Sequence, residues 1–535
     1  VLATSALLLA GIAGQAVFAS GYLLQVDTAW GPRAAPVVAG FYAPIALLSR
    51  LAVAVVGGDV AGKVYVLGVL VVCAAAPMAA LRKQPVSTRV VGGVMGVFNP
   101  WVYERLVEGQ WTVAAAGGAL FLFVAASDLL DERPSGGTAG LVVLSCAVVV
   151  VLSPAFAAML AILAVARAVF GDRPPRASEP TVDMRAVRRK WWLIALAGTC
   201  ALILVGALSF VLGHGQGSYR RVQTFGPRDL SFFRANGTPF GLGVRLVGLS
   251  GFWAERIGRF ESLDAGRAWW PVAAVALAGV ALTSCWRISR RRWLLYAGLT
   301  GLVISASTAL APVRSVIGDV GRHVPFVFAF REPEKFSALW LVAAVVLVGD
   351  LLGSLAMDDR IRDRRWRTPA VATGVIATML LLGAAREPAL LGRTLNPVSY
   401  PADWYSAAQY LRHHPVDGRT AVLPWHHYLS LPLAGNRVVQ NPADVFFPGR
   451  LLVDLEPEIA SVPEDDKNSD IARGEAQNGP PCALAQALRA HGANAAIVLP
   501  VLEGPADVST LEHCGFRRVE GGTGTVAVLV SSSPH

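Results

Sequence analysis

Apolar runs of about 20 residues, long enough at ~1.5 Å per residue to cross a bilayer as helices, recur along this chain. They fall near 1–23, 60–81, 111–130, 190–213, 268–285, 293–312, 337–357 and 368–386. The first is longer than a signal-peptide core and is read as a span. Three further apolar pieces are irregular. Residues 87–104 run into Asn99-Pro100, and 138–152 and 154–170 are separated by Ser153-Pro154, where proline removes a backbone donor and interrupts the helix. Backbone broken at membrane depth survives only where protein buries it or a wet cavity lines it. After about residue 387 the pattern changes. Strand-like runs at Thr420–Leu423, Ala495–Leu499 and Thr525–Val530 alternate with helix-like Ala402–His414 and Ala483–His491, and Leu455–Pro480 reads as an exposed polar loop.

Composition sharpens the class. Hydrophobic residues make up 54% of the chain and charged residues only 16%, and the mean hydropathy is +0.50, against about 25% charged residues in soluble proteins. The formal charge of +10 is gathered in short loops, at Arg82-Lys83, Arg133, Arg173 to Lys190, Arg287 to Arg292 and Arg360 to Arg367. That distribution sets membrane orientation and excludes a nucleic-acid face. If the irregular pieces count as spans, every basic group falls on one side, the cytoplasmic one. The fold expected is a polytopic α-helical membrane protein of about eleven transmembrane helices (1–386) with a C-terminal extracytoplasmic α/β domain (387–535). Residues 35–58 would upset this count as a further span, so Phe41 to Val56 is read as a helix lying at the outer interface with Arg50 snorkelling. On the oxidising side Cys482 and Cys514 can pair as a disulfide or remain two buried thiols. Cys73, Cys146, Cys200 and Cys285 lie in apolar runs.

Three polar concentrations then share the outer face. The first is Asp27, in a stretch between Tyr22 and Trp30 whose rings suit a membrane boundary. The second is Asn99 to Trp111, where Glu104 and Glu108, four apart, share a helix face while Arg105 points elsewhere, and where Gln110 follows. This reads as a cavity wall or as an interfacial turn anchored by its aromatics. The third is Arg314 to Lys335, where Arg322, His323, Arg331 and Lys335 either meet an anionic headgroup or pair internally with Glu332 and Glu334. The loop 214–265, with His214, Tyr219, Arg220, Arg221, Arg228, Phe232, Phe233 and Trp253, suits a lid over an amphiphile or an amphipathic surface helix. No phosphate-binding glycine loop, zinc spacing or serine elbow occurs. The adjacent side chains of His426-His427 diverge and set no metal site.

The strings Gln25-Val26-Asp27, Asn99-Pro100-Trp101-Val102-Tyr103-Glu104-Arg105, Phe330-Arg331-Glu332-Pro333-Glu334-Lys335-Phe336 and Val422-Leu423-Pro424-Trp425, with this topology, resemble those of actinobacterial proteins in or near the GT-C superfamily of integral membrane glycosyltransferases. The resemblance implies transfer of a sugar, as by an arabinosyltransferase or mannosyltransferase, from a polyprenyl-phosphate donor to a cell-envelope glycan or glycolipid acceptor at the outer face of the plasma membrane. It gives Asp27 the role of the acidic residue that activates the acceptor hydroxyl or contacts a metal. Developing phosphate charge needs cations, and Arg322, Arg331 and Lys335, with Arg50 and Arg105 behind them, are assigned to it. Glu104, Glu108, Gln110 and His323 would line the cavity. The sequence departs from the paired-acid form of the motif, since no second carboxylate neighbours Asp27. No cofactor is therefore called for, and a divalent metal remains an alternative only if Glu104 or Glu108 completes a pair in space. Two other classes fit the same residues: a flippase for a lipid-linked saccharide, and a non-catalytic glycan-binding relative.

Overall fold

The computed structural model describes residues 19–34, 43–171, 184–213, 227–237, 241–264, 269–287, 291–324, 327, 330–357, 387–454, 469–475, 482–502, 508–519 and 526–532. The expected span 368–386, most of the span 1–23, and His214, Tyr219, Arg220 and Arg221 lie outside the described residues, as do the side chains of Arg228 and Arg322. The chain forms two compact units. One holds Tyr65–Thr394, and the other combines the described part of Gln15–Val38 with Ala46–Val64 and Leu395–His535.

Helices α1 (Ala43–Val56), α2 (Gly58–Ala80), α3 (Val86–Val97), α4 (Pro100–Glu108), α5 (Trp111–Glu132), α6 (Gly136–Leu152), α7 (Phe156–Phe170) and α8 (Met184–Gly213) follow one another, and the breaks fall where proline was expected to place them. Three shorter helices come next, α9 (Pro227–Phe232), α10 (Gly241–Val247) and α11 (Trp253–Arg256). The membrane part closes with α12 (Trp270–Arg287), α13 (Arg292–Ser307), α14 (Ala311–His323) and α15 (Ser337–Met357). Among the described residues, Gly58–Ala80, Trp111–Glu132 and Pro333–Leu355 are long and apolar enough to cross a membrane. A fourth span is available if α13 and α14, bent by 91° at residues 308–310, count as one. The helices Pro44–Val56, Val86–Val97, Gly136–Leu152, Phe156–Phe170 and Trp270–Trp286 are apolar but shorter. Leu47, Leu48, Leu51 and Val55 of α1 are exposed.

In the first unit α5 and the N-terminal two-thirds of α15 are buried almost throughout, the state of a helix that is apolar all round. The far end of α5 gathers basic side chains from distant loops. Arg82 and Lys83 meet Glu132, the latter at 2.7 Å, while Arg291 meets Asp128 at 2.7 Å and Asp350 at 3.2 Å. Arg167 joins them through Asp131. Arg82, Lys83 and Arg291 from two loops and Arg167 from the last turn of α7 thus share one end of the unit. The 22 residues of α5 put that end about 33 Å from Trp111, close to the thickness of a bilayer's hydrocarbon core.

The second unit is an α/β fold. Strands β1 (Arg419–Leu423), β4 (Leu451–Leu452), β5 (Ala493–Val498), β6 (Phe516–Arg518) and β7 (Ala527–Ser531) form a sheet in the order β4-β1-β5-β7-β6, parallel on both sides of β1 and antiparallel around β7. A separate hairpin pairs β2 (Tyr428–Leu431) with β3 (Arg437–Gln440). Trp404, on the helix Ala402–His413, is fully buried against Phe446 and Phe447 in the core. Cys482 and Cys514 are joined as a disulfide with Cα atoms 5.4 Å apart. The expected loop Leu455–Pro480 contains a helix, Ser469–Glu475, which forms because Ile471 can be buried against the sheet's core; 455–468 and 476–480 lie outside the described residues.

Candidate functional site

Helix α4 is built by its ends. The Asn99 side chain accepts from the Val102 amide at 3.1 Å, with Pro100 in the first turn, where a missing N–H costs nothing. Gly109 closes the helix at φ 86°, a left-handed conformation that glycine adopts without strain. At nine residues α4 is about 13 Å long, too short to span, and every residue in it is buried. Arg105 is 0% exposed, its guanidinium 3.9 Å from the centre of the Phe252 ring. It donates to Gln110 Oε1 at 2.8 Å and lies 3.5 Å from Glu334.

Gln110 in turn donates to Glu332 Oε2 at 3.4 Å, and Lys335 Nζ meets the same oxygen at 2.8 Å. Arg331 stands 3.6 Å from the other oxygen. Burial alone would raise the Glu332 carboxyl, but Lys335, then Arg331 and Arg105, hold it down to about 2. The internal pairing considered for Glu332 and Glu334 is therefore present, through Arg331, Lys335 and Arg105. Lys335 and Arg331 keep part of their surface, with side chains 14% and 36% exposed, respectively.

Glu104 and Glu108 both face the segment 253–264. Glu108 pairs with Arg259 at 2.5 Å. Glu104 is buried within electrostatic reach of Glu255. Arg245 binds both Glu255 and Asp264, and Ser250 donates to Asp264 at 3.0 Å. A cavity of about 470 Å³ adjoins this cluster, lined by Asn236, Arg245, Glu255, Phe260 and Asp264 among others.

In the second unit, residues 22–30 form a tight reversal. Leu24 bridges Ala29, and the Gln25 amide donates to Thr28 O at 2.8 Å. The reversal is tied to the C-terminal fold by a Tyr22–Val398 bridge and by the Gln440 amide donating to Gln25 O at 2.9 Å. Asp27 is exposed at the tip, where Tyr428 Oη donates to its Oδ1 at 3.3 Å. The reading of Tyr22 and Trp30 as membrane-boundary anchors is corrected. Trp30 is buried, and Tyr22 is half-buried with its ring 5.3 Å from that of Tyr400. The rings find protein partners because the reversal folds into the second unit.

The structure thus divides the candidate residues. Glu104, Arg105, Glu108, Gln110, Arg331 and Lys335 belong to one connected polar region in the first unit. Asp27 and the exposed Arg50 belong to the second, and His323 is exposed at the end of α14. Arg105 was assigned to the donor phosphate, but its complete burial gives it the role of holding Gln110 and Glu334. The sequence reading missed Arg245, Glu255, Arg259 and Asp264. Their only signal was charge recurring in the 214–265 loop. Among the described residues, no group of three or more His, Cys, Asp or Glu is arranged to hold a metal.

The fold, a helical membrane part with short broken helices and an α/β domain after it, is similar to that of solved glycosyltransferase structures. In particular, the cryo-EM structure of the mycobacterial arabinofuranosyltransferase AftD matches the whole chain with a TM-score of 0.62 at 15% identity. The R1389S mutant of that enzyme, in its second class, matches at 0.53 and 14%. This chain spans about two-fifths of AftD, 40% and 41% in the two cases. The apo oligosaccharyltransferase of Archaeoglobus fulgidus matches 93% of this chain and 69% of its own at 11% identity; its TM-score of 0.45 carries no weight here. No family model and no curated protein matches the sequence. At such identities the likeness is one of fold.

Proposed function

We propose that this chain carries out glycosyl transfer at the outer face of the plasma membrane, moving a sugar from a polyprenyl-phosphate donor to a hydroxyl of a cell-envelope glycan or glycolipid. The observation that carries the reading is Asp27: an exposed carboxylate at the tip of a pinned reversal, held by Tyr428, in a chain with the fold of an arabinofuranosyltransferase. A general base must come within about 2.6–3.2 Å of the proton it takes, and Asp27 stands exposed at the tip of the reversal. Asp27 accepts the acceptor's proton as its oxygen bonds to the anomeric carbon. The bond from that carbon to the phosphate oxygen breaks, and the lipid phosphate leaves with the electron pair. A single displacement of this kind inverts the anomeric centre.

Lys335 and Arg331 are the cations assigned to the leaving phosphate, since each keeps surface while Glu332 fixes its position. Arg105 and Gln110 hold Glu332 in place. Arg322, Arg50 and His323 are retained as further donor contacts. About eleven spans, with the C-terminal domain outside the cytoplasm, complete the reading. The test is transfer from a labelled polyprenyl-phosphate sugar in membranes, comparing the wild type with Asp27→Asn. Full activity in the variant removes the base.

A further inference from the structure

The partly buried arginines of the first unit are generally matched by acids: Arg167 by Asp131, Arg245 by Glu255, Arg259 by Glu108 and Arg291 by Asp128. Arg314, which is half-buried, departs from that pattern, as do the exposed Arg234 and Arg256. Arg256 donates to the carbonyls of Ser231 and Phe232, the latter at 2.8 Å, and Arg314 donates to those of Thr308 and Ala309 at 2.6 and 3.1 Å. Arg234, which is exposed, lies within electrostatic reach of both. Among the described residues no carboxylate pairs with any of the three. Carbonyl oxygens fix where a guanidinium points but do not cancel its charge, and each fork has five donors, more than these bonds use. Arg256 and Arg314, aimed by backbone acceptors, each feel the like charge of Arg234, and an anion beside them relieves that repulsion.

The setting indicates which anion. Arg234 follows α9, Arg256 ends α11, and Arg314 is on α14, against which α9 packs. Helix α14 turns 91° from α13, so with α13 along the membrane normal it runs along the membrane surface. Val316 and Val320 of α14, and Val324 just after it, are exposed; at about 100° per residue Val316 and Val320 share a stripe, and Arg314 lies roughly 120° round from Val320. An apolar stripe flanked by arginine is the pattern of a helix lying at headgroup depth. Phe232, Phe233 and Trp253, in mutual ring contact at 5.1 to 5.3 Å, brace α9 against α11 beside the cations.

We propose that Arg234, Arg256 and Arg314 form a site for the phosphate of an anionic lipid headgroup, with the apolar stripe of α14 alongside its chains. The three arginines are distinct from the cations assigned to the leaving phosphate, and the site stands whether or not Asp27-dependent transfer is found. Two sources carry the same chemistry, a bilayer phospholipid and an isoprenyl phosphate.

The test uses the full chain in neutral detergent, titrated with dioctanoyl phosphatidylglycerol, farnesyl phosphate, dioctanoyl phosphatidylcholine and inorganic phosphate. The wild type is expected to bind at least one of the two anionic lipids, more weakly as salt rises. The triple variant Arg234→Gln, Arg256→Gln, Arg314→Gln should lose that affinity by about tenfold or more, and the triple lysine variant should recover part of it. Loss for farnesyl phosphate alone assigns the site to a carrier lipid, loss for phosphatidylglycerol alone to the bilayer, and loss for both to lipid phosphate in general. Should the triple variant fail to fold, Arg234→Gln, at an exposed position, gives a smaller loss of the same kind. Unchanged lipid binding in these variants, equal binding of phosphatidylcholine, or inorganic phosphate binding as tightly as the lipids would each overturn the proposal.

Discussion

Replacing Glu332 by glutamine removes a negative charge that Lys335 and Arg331 share. The carboxyl is lowered from 4.5 to about 2, and about 2.5 pH units at ~1.36 kcal/mol each corresponds to roughly 3 kcal/mol of native-state stabilisation at neutral pH. The sign follows from the depressed value. The contribution is complete above about pH 4.5 and disappears as pH falls through about 2, so by pH 3 more than half is gone. Glutamine keeps an oxygen for Lys335 and Gln110, but it leaves cations that were placed for an anion, and one of them, Arg105, is fully buried. The assay is urea unfolding of the detergent-solubilised full chain, wild type against Glu332→Gln, at pH 7 and pH 3. A loss of about 3 kcal/mol at pH 7 that shrinks to less than half at pH 3 is expected. A gap below about 0.5 kcal/mol at pH 7, or one of equal size at both pH values, refutes the ion-pair reasoning.

Two further outcomes follow from packing and covalent structure. Gly58→Ala would place a Cβ 1.8 Å from the carbonyl oxygen of Gly31, so a loss of about 3 kcal/mol or more is expected, read as a fall in melting temperature; an unchanged melting point contradicts that approach. Titration of the denatured, unreduced chain should find the four free cysteines and not six. Serine at both Cys482 and Cys514, 32 residues apart, should cost the second unit about 3–4 kcal/mol, measured by its urea midpoint.

What the sequence revealed was local. Asn99-Pro100 and Ser153-Pro154 marked real helix ends because capping and proline chemistry act over a few residues, and β1, β5 and β7 lie within two residues of the runs that predicted them. Long-range pairing was not legible. Glu104 was visible as a helix-face acid, but its partner Glu255 lies on a four-residue helix with no periodicity of its own. Tyr22 and Trp30 carried the composition of membrane anchors, and only the contact with Tyr400, far along the chain, shows where the rings go. The grouping of residues 46–64 with the C-terminal fold has the same character, since nothing in an apolar helix names the surface it joins. The tilt of α14 could not be read from its composition either. A run at 293–312 looks continuous until the turn at 308–310 redirects it.

The central claim is that Asp27 takes the acceptor's proton in glycosyl transfer. The most direct measurement is product formation from a radiolabelled polyprenyl-phosphate sugar and a cell-envelope glycan acceptor, in membranes containing equal amounts of wild-type and Asp27→Asn protein. Loss of a positioned base costs about 10²- to 10⁴-fold in rate, so the account predicts product from the wild type and a fall of that size in the variant, with its melting temperature unchanged because Asp27 is exposed. Equal product from both proteins would contradict it.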